Sequence, residues 1–216
     1  MVRVMVCVLV LCWWAVSSLA EEPPPETVLT RVEAFYQELK SFYAEFNQEV
    51  YWRRGYEVQA SGGRIWFKRP NRLRWEYRYP ERMLIVSDGQ KVYFYSEEDR
   101  QVIILSLEKA FSRMVIGLMT GRHRLNRDFV LLSGKPETNG EGYFLELKPR
   151  EEKGQISRIR LKVLPKTGEI KEIWYWDFLG NLTHLTFEKV QFNLKIEDKK
   201  FSFTPPKDAE IIKEDG

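Results

Sequence analysis

From Ser41 to Phe192 the chain alternates apolar and polar residues with period two, broken at short intervals by turn residues. That pattern predicts antiparallel strands joined by hairpins. Phe42, Ala44, Phe46, Gln48 and Val50 alternate against Tyr43, Glu45, Asn47, Glu49 and Tyr51. The alternation returns over 56–68, 73–79, 83–87, 91–95 and 101–105, and again over 129–133, 143–147, 156–164, 170–178, 183–192 and 201–203. Arg53-Arg54-Gly55, Asp88-Gly89, 97–100, 135–142, 149–154, 165–168 and Gly180-Asn181 mark the turns. The count comes to ten or eleven short strands.

Two stretches change period. Val28, Leu29, Val32, Phe35, Tyr36 and Leu39 recur at helical spacing over 26–39. Ser106 can cap a second helix running to about Met119, with Ala110, Phe111, Met114, Val115, Leu118 and Met119 on one stripe. Gly117 and Gly121 loosen its end, a basic loop follows over 122–127, and the tail from Pro205 is polar and expected to be loose. A mainly β chain of this kind reads as one strongly curved antiparallel sheet or open barrel with amphipathic helices. One helix could complete a dry core; two could close a cavity for an apolar ligand.

One residue breaks the alternation. In Gly62–Pro80, Ile65, Phe67 and Arg69 share one face of a strand, while Arg64, Trp66 and Lys68 share the other. After Pro70-Asn71, Leu73, Trp75, Tyr77 and Tyr79 alternate against Arg72, Arg74, Glu76 and Arg78. Arg69 therefore lines up with an apolar face, and a guanidinium keeps its charge and five donors wherever it goes. Either it bends into water as the last residue of its strand, or it latches something across the mouth of an apolar cavity.

Composition narrows the classes. Arg3, the apolar run 4–16 and Ser18-Leu19-Ala20 read as a cleaved secretory signal over 1–20 rather than an uncleaved anchor, since the run falls short of the roughly 20 residues that span a bilayer. Residues 21–216 make one domain. Both cysteines, Cys7 and Cys12, lie in the signal, so the exported chain has no thiol chemistry. With 34 basic and 31 acidic side chains the balance is close to neutral, which argues against nucleic acid and leaves the strand arginines as an outer face.

Catalytic chemistry is not supported. His123 and His184 have no partner at ligand spacing, and no nucleophile elbow, zinc motif or phosphate loop is present. Asp177 reads as a turn cap before Gly180, and Asn181-Leu182-Thr183 is a formal glycosylation sequon. No cofactor or metal is expected.

Several blocks together resemble the LolA family: Phe42-x-x-x-Phe46-x-Gln48, Gly63-x-Ile65-Trp66-Phe67-Lys68-Arg69-Pro70-Asn71-x-x-x-Trp75, Val86-Ser87-Asp88-Gly89-x-x-Val92-x-Phe94-Tyr95 and Phe201-x-Phe203-Thr204-Pro205-Pro206. The resemblance implies a single-domain unclosed antiparallel β-barrel of about 11 strands, covered by an α-helical lid over an apolar cavity. It implies a non-enzymatic, monomeric periplasmic carrier of outer-membrane lipoproteins. Its partners would be an inner-membrane LolCDE-type ABC transporter and a LolB-type outer-membrane acceptor. Arg69 occupies the family's latch position, where the arginine bonds lid-helix carbonyls. Leu73 stands where the best-known member has an aromatic in contact with the transporter. Acyl-chain contacts would come from Val32, Tyr36, Leu39, Phe46, Ile65, Phe67, Leu73, Trp75, Phe111, Met114 and Leu118. The alternative on the same fold is a periplasmic sensor or a carrier of other lipids or glycolipids.

Overall fold

The computed structural model describes residues 22–53, 57–112, 117–121, 124–151 and 156–213. Twelve strands form one sheet: β1 (Ser41–Tyr51), β2 (Val58–Lys68), β3 (Arg72–Tyr79), β4 (Met83–Asp88), β5 (Lys91–Ser96), β6 (Gln101–Ser106), β7 (Phe129–Pro136), β8 (Tyr143–Pro149), β9 (Ile156–Val163), β10 (Ile170–Asp177), β11 (Leu182–Phe192) and β12 (Glu210–Lys213). Their order is β12-β6-β5-β4-β3-β2-β1-β11-β10-β9-β8-β7, so β12 and β7 are free edges and the barrel is unclosed. All pairings are antiparallel except β12 on β6.

The helix α1 (Pro25–Glu38) begins with proline at its first position, where a missing N–H costs nothing. Its stripe of Val28, Leu29, Val32 and Tyr36 is buried on the concave face of the sheet. The start of α1 meets Gly134 of β7 through Pro25, and its last residues meet the β2–β3 turn. One 14-residue helix can reach both only because the sheet curls around it.

Residues of the predicted inner set pair across strands on this concave face: Phe42 with Phe67, Phe67 with Leu73, Trp75 with Ile85, Leu145 with Leu161, Ile173 with Leu185. Gly63 is needed where β3 crosses close to β2, because a Cβ there would collide with the Glu76 carbonyl.

Two expectations change, and a third falls partly outside the described residues. The tail is ordered: a short 3-10 helix (Asp198–Phe201) stands where a strand over 201–203 was expected. Phe201 is buried, Phe203 packs on Tyr93 and Tyr95, and β12 follows. Val86 and Val102, on the convex side of β4 and β6, supply the apolar surface that draws this segment in. The basic loop contains a helical turn, α3 (Leu125–Asp128), seated by burial of Leu125. The second helix is described as α2 (Leu107–Ser112), and its predicted middle, with Met114, lies outside the described residues, as does the side chain of Phe111. Residues 1–20 also lie outside them.

Candidate functional site

The site is built where α1 ends. The last carbonyls of any helix lack intrahelical donors and carry the negative end of its dipole. Leu39, the C-cap of α1, is extended, and the last turn of α1 contains no basic residue of its own. The missing donors come from the β2–β3 turn. Arg69 donates from Nε to Leu39 O at 2.6 Å and from Nη2 to Tyr36 O at 2.7 Å, while its backbone N–H donates to Lys40 O at 2.9 Å. The guanidinium that alternation placed on an apolar face is thus the cap of the helix covering that face, and its contact is with α1.

The turn that presents Arg69 is braced by the second sequence block. Asn71 sits in the left-handed region at φ 59°, and its carbonyl accepts the Ser87 hydroxyl at 2.6 Å. Asp88 Oδ1 accepts the N–H groups of Gln90 and Lys91, and Gly89 takes φ 101°. Lys-Arg-Pro-Asn and Val-Ser-Asp-Gly therefore form one unit in space.

Gly121, for which the sequence alone suggests only a loosened helix end, completes the unit. It lies in the left-handed region at φ 67°. A Cβ on it would meet Tyr36 O and stand 2.5 Å from Arg69 Nη2. The stretch after α2 thus rests directly on the Arg69–α1 junction, with Leu118 and Met119 buried beside it. On the far side of α1, Glu33 Oε2 accepts the backbone N–H (2.8 Å) and side-chain amide (3.2 Å) of Asn126 in α3.

The predicted contact residues gather on the concave face. Val32, Tyr36, Leu39, Phe46, Ile65, Phe67, Leu73, Trp75 and Leu118 are all at most 4 % exposed. Phe46 meets Trp75 edge-on, with ring centroids 5.3 Å apart, and Phe42 lies 5.6 Å from Phe67. The Tyr36 hydroxyl accepts the Ile170 N–H at 3.0 Å, tying α1 to β10, and burial pushes its pKa well up so that it stays neutral. Trp75 Nε1 is buried with no hydrogen-bond partner among the described residues, a condition that costs roughly 1–3 kcal/mol.

The convex face is different in kind. Asp198 pairs with both Lys68 and Arg72, Glu76 with Arg74 and Lys200, and Glu45 with Arg64 and Lys189. Lys200 Nζ stands 3.6 Å over the Trp66 ring, and burial lowers its pKa. His184 stacks on Trp174 and lies 2.8 Å from Glu172. Asp177 accepts the backbone and side-chain N–H of Asn181, as a turn cap does. No group of three or more His, Cys, Asp or Glu is placed to hold a metal among the described residues.

Comparisons with known proteins agree with this fold. Among solved structures, an uncharacterized conserved protein from Thermus thermophilus superposes with a TM-score of 0.54 at 16 % identity, covering 87 % of this chain and 98 % of that one. A structure of MucB gives 0.52 at 14 % identity, over 87 % of this chain and 65 % of the other. Both likenesses concern the fold. In sequence, an outer-membrane lipoprotein carrier protein of Methylibium petroleiphilum is 31 % identical over 93 % of this chain and 96 % of its own length. One from Nitrosomonas europaea is 29 % identical over 89 % and 92 %. The family pattern described as outer membrane lipoprotein carrier protein LolA matches residues 37–204, which include Arg69, Ser87 and Gly121. This chain belongs to the LolA family.

Proposed function

We propose that the protein is a periplasmic carrier of acylated lipoproteins, exported by the signal over 1–20. It takes cargo released from the inner membrane by a LolCDE-type ABC transporter, shields the acyl chains against the concave face, and delivers them to a LolB-type acceptor at the outer membrane. The observation that carries this reading is the pair of bonds from Arg69 to the end of α1. The family match and the names of its relatives support the cargo class.

The energetics suit a relay. Each acyl CH₂ removed from water is worth about 0.8 kcal/mol. When acyl chains displace the Val28–Tyr36 stripe of α1, one apolar cover replaces another on the same strands, so the net gain is small. Breaking two bonds to a charged donor, roughly 1.5–3 kcal/mol each, offsets more of it. Cargo is held, yet it can be passed on.

Replacing Arg69 with Leu tests this. The variant is expected to fold with an unchanged circular dichroism spectrum but to keep its lipoprotein when offered the acceptor. Transfer at the wild-type rate would overturn the latch role. Mass spectrometry of material purified from the host checks the cargo: acylated lipoprotein supports the carrier, whereas free lipid alone would replace it by a lipid-binding function.

A further inference from the structure

The concave face is graded along its strands. Near Arg69 it is lined mainly by apolar rings and chains, Phe42, Phe67 and Leu73, and its buried Ser87 is occupied by the Asn71 carbonyl. Toward the other end of the same strands it carries Gln48, Ser61, Tyr77, Tyr175 and Thr183. There the Tyr77 hydroxyl donates to Gln48 Oε1 at 3.2 Å, and Tyr175 pairs across strands with Thr183. Burial raises the pKa of both phenols, so this polar end is neutral.

Trp75 stands at the boundary. It is 4 % exposed, stacks on Tyr77 with centroids 5.8 Å apart, and packs edge-on against Phe46. Three buried side-chain polar atoms have no hydrogen-bond partner among the described residues: Arg64 Nε, Glu146 Oε2 and Trp75 Nε1. The first two still face an opposite charge, Glu45 at 3.7 Å and Arg158 at 3.9 Å. Trp75 has no such compensation. An indole N–H can only donate, and it carries no charge. What satisfies it best in an apolar setting is a neutral acceptor on an otherwise apolar molecule. A carboxylate suits it poorly, because the cation on this side, Arg69, is committed to two backbone carbonyls.

We propose that Trp75 donates its indole N–H to the ester carbonyl of a fatty acyl chain lying on the concave face. The chain then runs toward Phe67 and Leu73, and the more polar glycerol part lies toward Tyr77 and Gln48. The bond sets how far that chain slides in. This inference rests on the carrier reading above, because it requires acyl chains on this face.

The test compares dodecanoylglycerol with its ether, dodecylglycerol, which lacks only the carbonyl, by titration calorimetry on the wild-type protein, on Trp75→Phe and on a variant carrying at position 75 a tryptophan isostere with sulfur in place of the N–H. The wild type is expected to bind the ester roughly three- to tenfold more tightly than the ether. The readout is that ratio, whatever either substitution does to each affinity singly, and it should fall to about one in both variants. The isostere keeps the ring size, so it answers even where Trp75→Phe fails to fold. Equal affinities in the wild type, or a ratio that survives in the isostere, would overturn the role of Trp75 and leave the carrier reading standing. Binding of neither probe by the wild type would overturn both.

Discussion

The two faces of the same strands are held by different physics. Along β3, Leu73 and Trp75 are 0 % and 4 % exposed, whereas the alternating Arg72 and Arg74 side chains keep 29 % and 21 % of their surface. The concave face depends on volume and shape, with rings interlocked under α1. The convex face depends on charge: Asp198, Glu76 and Glu45 each serve two cations, so none of these pairs is decisive alone. A strand with period two can satisfy both demands at once.

The contrast can be broken most severely from the concave side. Phe67→Ala removes a ring that is 1 % exposed, and the expected loss is about 3–5 kcal/mol in urea unfolding. A loss below about 1 kcal/mol would mean that this face is not close-packed under α1. Gly121→Ala comes next. It forces a left-handed residue to carry a Cβ into Tyr36 O, for an expected cost of about 1–3 kcal/mol. Because the same Cβ crowds Arg69, the carrier proposal expects lipoprotein handover to suffer as it would in Arg69→Leu. A variant that loses stability but transfers normally would uncouple Gly121 from the latch.

The smallest effect belongs to the convex face. Lys68 and Arg72 hold the Asp198 carboxyl below its usual value. A carboxyl lowered on folding stabilises the protein above its unfolded pKa, near 4, and that contribution disappears as pH falls through the lower folded value. Between about pH 5 and about pH 2.5 the wild type should therefore lose slightly more stability than Asp198→Asn, and added salt should shrink the difference. Equal acid sensitivity would show that Asp198 contributes nothing.

How much of this was legible in the sequence follows from the range of each interaction. The hairpin strands and α1 rest on local periodicity, and residues such as Phe42, Ile65 and Leu73 declare their face by position alone. Arg69 was visible as an anomaly, but its partners lie 30 and 33 residues away, so alternation could not choose between a frayed end and a latch. Gly121 gave no signal beyond a weak helix end, because its reason is an approach by Tyr36 and Arg69. The ordered tail was missed for a related cause. Residues 205–213 are polar by themselves, and the Val86 and Val102 surfaces on which the preceding Phe201 and Phe203 segment settles belong to distant strands. Trp75 was expected among the acyl contacts for its ring, while its unmet N–H could emerge only from the packed structure.

The unclosed sheet has one more consequence. A barrel with free edges offers unpaired backbone to any passing strand, its own copies included, and so invites fibres. At one edge β12 has only four residues, with Glu210 and Lys213 at its ends. At the other, β7 is kinked by a register shift between Leu131 and Ser133 and ends in Lys135 and Pro136, which cannot donate to a new ladder. Resistance to edge-to-edge association is thus written into the two outermost strands, one of which also meets the start of α1.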